Sequence, residues 1–172
     1  MKQTKIGQMK RYCIDTSALI DIKKWYPREI FPGIWEKLEQ MVKRGELISH
    51  KTIIEEIKRV DDELCKWCND EKLRAMFKET DDCQYEKFKE IKKKYDSKYW
   101  EIEISRTNNE WADPWLIALS ICEEAIIVTS ENKKNQNNIP AIAEKFKVHS
   151  LHLLEFFKEI GIKYEMIMQL AL

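Results

Sequence analysis

Four acids of this chain have types and positions that suit joint chemistry: Asp15, Glu56, Asp113 and Glu131. Asp15 ends the apolar run Tyr12, Cys13 and Ile14, and Glu56 lies in "KTIIEEIKRV". Asp113 stands before Pro114 in "ADPWLIALSICEE", and Glu131 follows "AIIVTS". Carboxylates gathered at one place repel one another unless a cation sits among them, so such a group implies raised pKa values or a bound metal. Oxygen-only ligands select hard ions, Mg2+ or Mn2+, whereas zinc would call for His or Cys. A cation so held lowers the pKa of bound water and stabilises charge on a phosphate during in-line displacement, which makes phosphodiester hydrolysis the natural reaction.

Each acid also has a purely local explanation. Asp113 before a proline is a good helix N-cap, Asp15 can cap the helix that follows it, Glu55 and Glu56 suit a solvated helix face, and Glu131 suits a loop. What caps leave unexplained is the order, one acid after each successive strand. Glu56 is preferred to Glu55 because it directly precedes the apolar Ile57, at the edge of the buried stripe. Asp21 lies more than a helical turn beyond Asp15 and is secondary. Thr16 and Ser17 offer hydroxyls to Asp15 or to a metal-bound water, with helix capping as the equal alternative.

Positioning these acids requires strands that end near one another. Residues 10–14 read as a buried strand and 17–24 as a helix capped by Thr16 or Ser17. "FPGIWEKLEQMVKRG" spaces Ile34, Trp35, Leu38, Met41 and Val42 as a helix ending at Gly45. "ELIS" then reads as a strand and "KTIIEEIKRV" as a helix. After 61–109, "ADPWLIALSICEE" reads as a helix, "AIIVTS" as a strand, "IPAIAEKFK" as a helix, "VHSL" as a strand and "LHLLEFFKEIG" as a helix, with a helical tail over 163–172. Strands separated by helices predict an α/β fold, a parallel sheet covered on both faces. Ligands in such sheets gather beyond the C-terminal ends of the strands, where the four acids fall.

The 172 residues suit a single domain, with 44% apolar and 35% charged residues but only four Gly and four Pro, which excludes a disordered or collagenous chain. Thirty basic residues balance thirty acidic ones, so any nucleic-acid affinity must come from a local patch. The polar, basic "MKQTKIGQMKR" is not followed by a signal-peptide core, and no run is long enough to cross a membrane, so a cytoplasmic protein is expected. Five cysteines without regular spacing suggest reduced thiols rather than a disulfide framework. "CKWC", Cys65 to Cys68, lacks the further ligands that a zinc site needs. His50, His149 and His152 read as structural.

With the acids in place, the chain resembles PIN-domain nucleases, in particular VapC-like toxin ribonucleases and a related prokaryotic subgroup of uncharacterised PIN proteins. The motifs that carry the likeness are "YCIDTSALID", "LISHKTIIEEIKR", "ADPWLIALS" and "IIVTSENK", in family order, and they cover about residues 10–60 and 110–160. The resemblance implies a PIN-like three-layer α/β/α sandwich with Asp15, Glu56, Asp113 and Glu131 as catalytic, metal-binding acids. Ser17 matches the hydroxyl that supports the first acid, and Thr129 the hydroxyl of the fourth motif. It further implies Mg2+- or Mn2+-dependent cleavage of single-stranded or loop RNA leaving a 5′-phosphate. Family members often form homodimers, and the toxins of type II toxin–antitoxin systems are held inactive by a cognate antitoxin.

The chain departs from that family in two respects. Glu131 stands where many relatives have Asp, and residues 61–109, read as a helical insertion or lid, have no counterpart in the compact toxins. Within that segment "YEKFKEIKKKYDSKYW" interleaves Lys92, Lys93 and Lys94 with Tyr85, Phe88, Tyr95, Tyr99 and Trp100. It reads either as an RNA-binding surface or as a solvated helix with its aromatics in the core. Two other classes compete. An aspartate-based phosphotransfer domain would also end its first strand in Asp, but its phosphatase form wants an acid where Ser17 stands, and its receiver form wants acids where Tyr12 and Cys13 stand. A catalytically silent PIN-fold binding module would have no need to keep all four acids.

Overall fold

The computed structural model describes residues 9–60, 62–108 and 111–163. Among the described residues, five short strands form one all-parallel sheet: β1 (Tyr12–Ile14), β2 (Leu47–His50), β3 (Phe77–Lys78), β4 (Ile126–Val128) and β5 (Ser150–Leu151). Their spatial order is β3-β2-β1-β4-β5, so β1 and β4 stand side by side where the winding reverses, with Ile14 opposite Val128. β1 and β2 are buried throughout, as continuous apolar runs in a covered parallel sheet must be. Helices cover the sheet, giving the expected three-layer α/β/α sandwich.

The first helix, α1 (Thr16–Trp25), starts one residue earlier than the sequence suggests, and its N-cap is neither Thr16 nor Ser17. Asp15 itself takes the cap position, its side chain accepting from the Ser17 N–H. The strand has to stop there, since the carboxylate satisfies an N–H that no further β-pairing could reach. α2 (Pro32–Lys43) buries Ile34, Trp35, Leu38, Met41 and Val42, the residues its periodicity selects. It is followed by Gly45 at φ 71°, a left-handed conformation that glycine adopts without a Cβ clash. α3 (Thr52–Val60) follows β2 and buries Ile53 and Ile57.

Residues 61–109 supply more than helices. They hold α4 (Asp62–Cys68), a 3-10 helix over Glu71–Met76, α5 (Asp82–Lys92) and α6 (Ser97–Arg106), but also β3, which extends the sheet beyond β2. The 3-10 helix, α5 and α6 each start at an aspartate cap: Asp70 accepts from Lys72 N–H at 2.9 Å, Asp81 from Gln84 N–H at 2.9 Å and Asp96 from Tyr99 N–H at 3.0 Å. These caps account for the broken periodicity of the segment. α5 packs along α7 (Asp113–Cys122), whose buried Leu116, Ile117, Ala118 and Leu119 lie over the sheet. α8 (Ile139–Glu144) and α9 (Leu153–Glu159) complete the layers. The tail beyond residue 163, read as helical, lies outside the described residues.

The expectation of five reduced thiols is corrected by α5 and α7. Their packing brings Cys83 and Cys122, 39 residues apart, to a Cα separation of 6.2 Å, and the two form a disulfide. No spacing rule could find this pair, because its partners meet only through helix packing. Cys13, Cys65 and Cys68 are free, and burial pushes the Cys68 thiol up to about 12. Closing a loop of that length should add about 3–4 kcal/mol in the chain-entropy treatment. Urea unfolding with and without reductant should differ by about that amount, and the Cys83→Ser, Cys122→Ser double variant should match the reduced protein. Coincident curves would show that the bond adds no constraint.

Candidate active site

Asp15, Glu56, Asp113 and Glu131 all line one pocket of about 530 Å³, reached from the C-terminal edge of the sheet. β1 and β4 place it: Asp15 ends the first, and Thr129 and Glu131 follow the second, at the point where the strand order reverses. In a doubly wound sheet the chain diverges there and leaves a crevice. α3 contributes Glu56, and the start of α7 contributes Asp113.

Asp15 is 3% exposed, and its Oδ2 is surrounded by donors. The Ser17 hydroxyl and backbone N–H donate to it, as does the Thr129 hydroxyl at 3.0 Å. In turn Ser17 Oγ accepts from Ser130 N–H at 3.0 Å, and Thr129 Oγ1 from Glu131 N–H at 3.1 Å. Each hydroxyl has one hydrogen, and with Asp15 ionised both point at Oδ2, so the cage suits the carboxylate form. Burial works against it and wins, raising the Asp15 pKa despite these bonds. Thr16 serves a different acid, donating to Glu56 Oε2 at 2.7 Å, while the Ala112 N–H reaches Glu56 Oε1 at 3.3 Å. Glu55 faces away from the pocket and pairs with Lys58 at 2.6 Å. Asp21 does not line the pocket either.

Capping does not explain Asp113. α7 begins at Asp113 itself, its N-cap is Ala112, and no side-chain cap bond forms. Its pKa stands well above the ordinary carboxylate value, first through burial and then through the charges of Asp15, Glu131 and Glu56. Burial raises Glu131 to about 7 against the pull of the Ile139 N–H, which donates to its Oε2 at 2.7 Å. Burial also raises Glu56, and Asp15 adds to the shift. Four carboxylates, all held above their usual range and partly by one another, form a site that is electrostatically incomplete alone.

The donor set fits a hard divalent cation: every group is a carboxylate or hydroxyl oxygen, and Asp15 and Glu56 have the outer hydrogen-bond partners that metal ligands use for orientation. Among the described residues, the ligand atoms of Asp81, Cys83 and Cys122 lie within 4.8 Å of one another. Both sulfurs there are spent on the disulfide. The pocket acids are not drawn so close, in keeping with their mutual repulsion.

Several lining residues were not among the expected site residues. Ile20 and Arg59 lie inside the motifs, whereas Tyr99, Glu103, Arg106, Thr107 and Trp111 lie outside them. Arg59 sits three residues after Glu56 and so shares its helix face, which spacing alone would reveal. Those from α6 could be found only from the fold. Beside them, Tyr95, Tyr99, Trp100 and Trp111 pack ring against ring, with Tyr95 and Trp111 centroids 4.7 Å apart. Phe88 stacks on Trp115 at 4.0 Å. Of the aromatics at residues 85–100, Tyr95 is buried in the core, Phe88, Tyr99 and Trp100 are half-buried, and Tyr85 is 57% exposed; Tyr99 lines the pocket. Lys92, Lys93 and Lys94 are exposed at the end of α5, outside the pocket wall, with Lys92 Nζ 5.3 Å from the Trp100 ring centroid. His50 is buried between Thr52 and Thr80 and stacked on Trp115, and burial lowers its pKa to about 4.

No curated protein matches this chain. The pattern of the family described as "Domain of unknown function (DUF4411)" matches residues 12–164, from the first residue of β1 to just past α9. That span takes in Asp15, Glu56, Asp113 and Glu131, the disulfide and the segment between α3 and α7, and the chain belongs to the DUF4411 family.

Proposed function

We propose that this protein is a metal-dependent endoribonuclease of PIN type that hydrolyses RNA phosphodiester bonds with Mg2+ or Mn2+. The observation that carries the reading is the convergence of Asp15, Glu56, Asp113 and Glu131, from four separate elements, on one pocket at the strand-order reversal. A cation bound there supplies charge neutralisation of the phosphate and a more acidic water. The chain's own residues do the rest. Ser17 and Thr129 fix Asp15, Thr16 fixes Glu56, and the Ile139 N–H fixes Glu131. Water oxygen bonds to phosphorus as the P–O3′ bond breaks, leaving a 3′-hydroxyl and a 5′-phosphate. The proton lost by water passes to a pocket carboxylate such as Glu131, which burial raises to about 7, and the leaving O3′ takes its proton from solvent water.

RNA as substrate, a cognate antitoxin as partner and homodimer formation rest on the resemblance to the toxin ribonucleases, as does a role in a type II toxin–antitoxin system. The test is cleavage of a mixed RNA pool by purified protein with Mg2+ or Mn2+, beside Asp15→Asn. Cutting by wild type alone, abolished by chelator, is the expected result. Equal cutting by both would assign the activity to a contaminant and remove Asp15 from the site.

Outer-shell partners of metal ligands are worth about 10–100-fold in metal affinity or activity. Ser17→Ala and Thr129→Ala should therefore each raise the Mn2+ concentration for half-maximal cleavage by about that factor, with rates largely restored at saturating Mn2+. Unchanged metal dependence in both would separate the hydroxyl cage from catalysis.

A further inference from the structure

One wall of the acid pocket is cationic. α3 and the last turn of α6 meet there: Arg59 Nη2 donates to the carbonyl of Thr107, the residue that ends α6, at 3.4 Å. Arg106, the last residue of α6, pairs with Glu103 one turn earlier, and its side chain is 70% exposed while that of Glu103 is 10% exposed. Both guanidiniums are near enough to the acids to interact with them, Arg59 with Glu56 and Arg106 with Asp113.

Among the described residues, the pocket walls hold five carboxylates, Asp15, Glu56, Glu103, Asp113 and Glu131, against these two guanidiniums. An oxygen cage of that charge attracts cations but repels a polyanion, so any strand approaching it needs positive groups beside the metal position. We propose that Arg59 and Arg106 form a phosphate clamp that holds the backbone of a single nucleic-acid strand across the pocket mouth, with the scissile phosphate turned toward the acids. The clamp rests on the hydrolase reading for what happens to that phosphate, not for its binding.

Arginine suits the task because its planar fork offers paired donors to two phosphate oxygens. Arg106 need not leave the buried Glu103: Nε and Nη2 hold that carboxylate, and the rest of its exposed guanidinium fork faces outward for a phosphate. Tyr99, half-buried on the same wall, leaves ring surface beside the strand for an unpaired base. The lysines at 92–94 lie outside this wall and contribute at most a longer-range field.

The test is binding of a short fluorescein-labelled oligouridylate, read by anisotropy with Ca2+ over a salt series, together with cleavage kinetics in Mn2+. Arg59→Ala and Arg106→Ala should each weaken binding about tenfold, lower the salt slope by about one and raise KM more than they lower kcat. Arg106→Lys, which keeps the charge, should restore the slope. Lys43→Ala, an equal charge loss at the end of α2, before β2 begins and so at the opposite edge of the sheet, should change neither. Unaltered affinity and slope in both alanine variants overturns the clamp. So does a fall in kcat at constant KM with a lower Tm, which would make the arginines braces for the acids. Arginine-dependent binding without cleavage in any divalent ion keeps the clamp and removes the hydrolase reading. Cleavage indifferent to both arginines does the reverse.

Discussion

Asp113→Asn should abolish cleavage and, at the same time, make the metal-free protein more stable. The two effects have one cause. Asp113 is held well above its usual pKa by burial and by Asp15, Glu131 and Glu56, and it caps no helix. Ionised, it costs folding energy that the amide does not. Replacing it with the isosteric amide keeps the shape and removes a charge, so at pH 8 without metal the variant should gain on the order of 1 kcal/mol, the usual scale for relieving a strained functional site. In a chain of this size that is about 2–4 °C in Tm. Activity should fall by more than the roughly 100-fold that outer-shell partners are worth, since on the proposed reading a ligand itself is lost. Thermal melts in EDTA beside single-turnover cleavage check both. A variant that is less stable and still active would return Asp113 to the status of a structural acid.

The second large effect is the dependence of stability on pH and its reversal by metal. Glu131 titrates at about 7 in the folded protein against an ordinary value of 4.5, and Asp15, Glu56 and Asp113 shift in the same direction. A group whose folded pKa is raised contributes stability that is complete below its unfolded pKa and is lost as pH rises through the folded one. For Glu131 that window runs from about 4.5 to just above 7. The metal-free protein should therefore lose stability across it, more steeply than surface carboxylates allow. Mg2+ or Mn2+ must displace the same protons, so its stabilisation should be small at pH 5 and large at pH 8. At 100 times its Kd a bound ion adds about 2.7 kcal/mol. Urea unfolding at the two pH values, with EDTA or with Mn2+, measures this. A metal gain that is equal at both, or that survives in the Asp15→Asn, Asp113→Asn double variant, would place the cation elsewhere.

Much of the site was legible in the chain because it sits where elements change. A strand that ends in an acid, a helix that opens on one and a loop acid after the next strand are local patterns, and the parallel sheet brings such ends to one edge. The choice between Glu55 and Glu56 was also partly readable, since Ile53 and Ile57 fix the buried stripe and hence which glutamate borders it. Capping rules were less discriminating. They allowed Asp113 to be an N-cap, which the structure shows it is not, and they offered Asp15, Thr16 and Ser17 alike as the α1 cap, a place that Asp15 takes.

By itself, then, the sequence determined the alternation of strand and helix, the faces each helix buries and the acids nearest the strand ends, because hydrophobic period and chain-breaking residues act within a few positions. Only the tertiary structure decided that the hydroxyls divide, Ser17 and Thr129 to Asp15 and Thr16 to Glu56, and that β3 joins the sheet. The Cys83–Cys122 disulfide and the meeting of Arg59 with the end of α6 were decided there as well. The reason is the same for each: these contacts join residues far apart in the chain, and which side chains meet depends on how helices and strands pack, a property of the assembled core that no local spacing encodes.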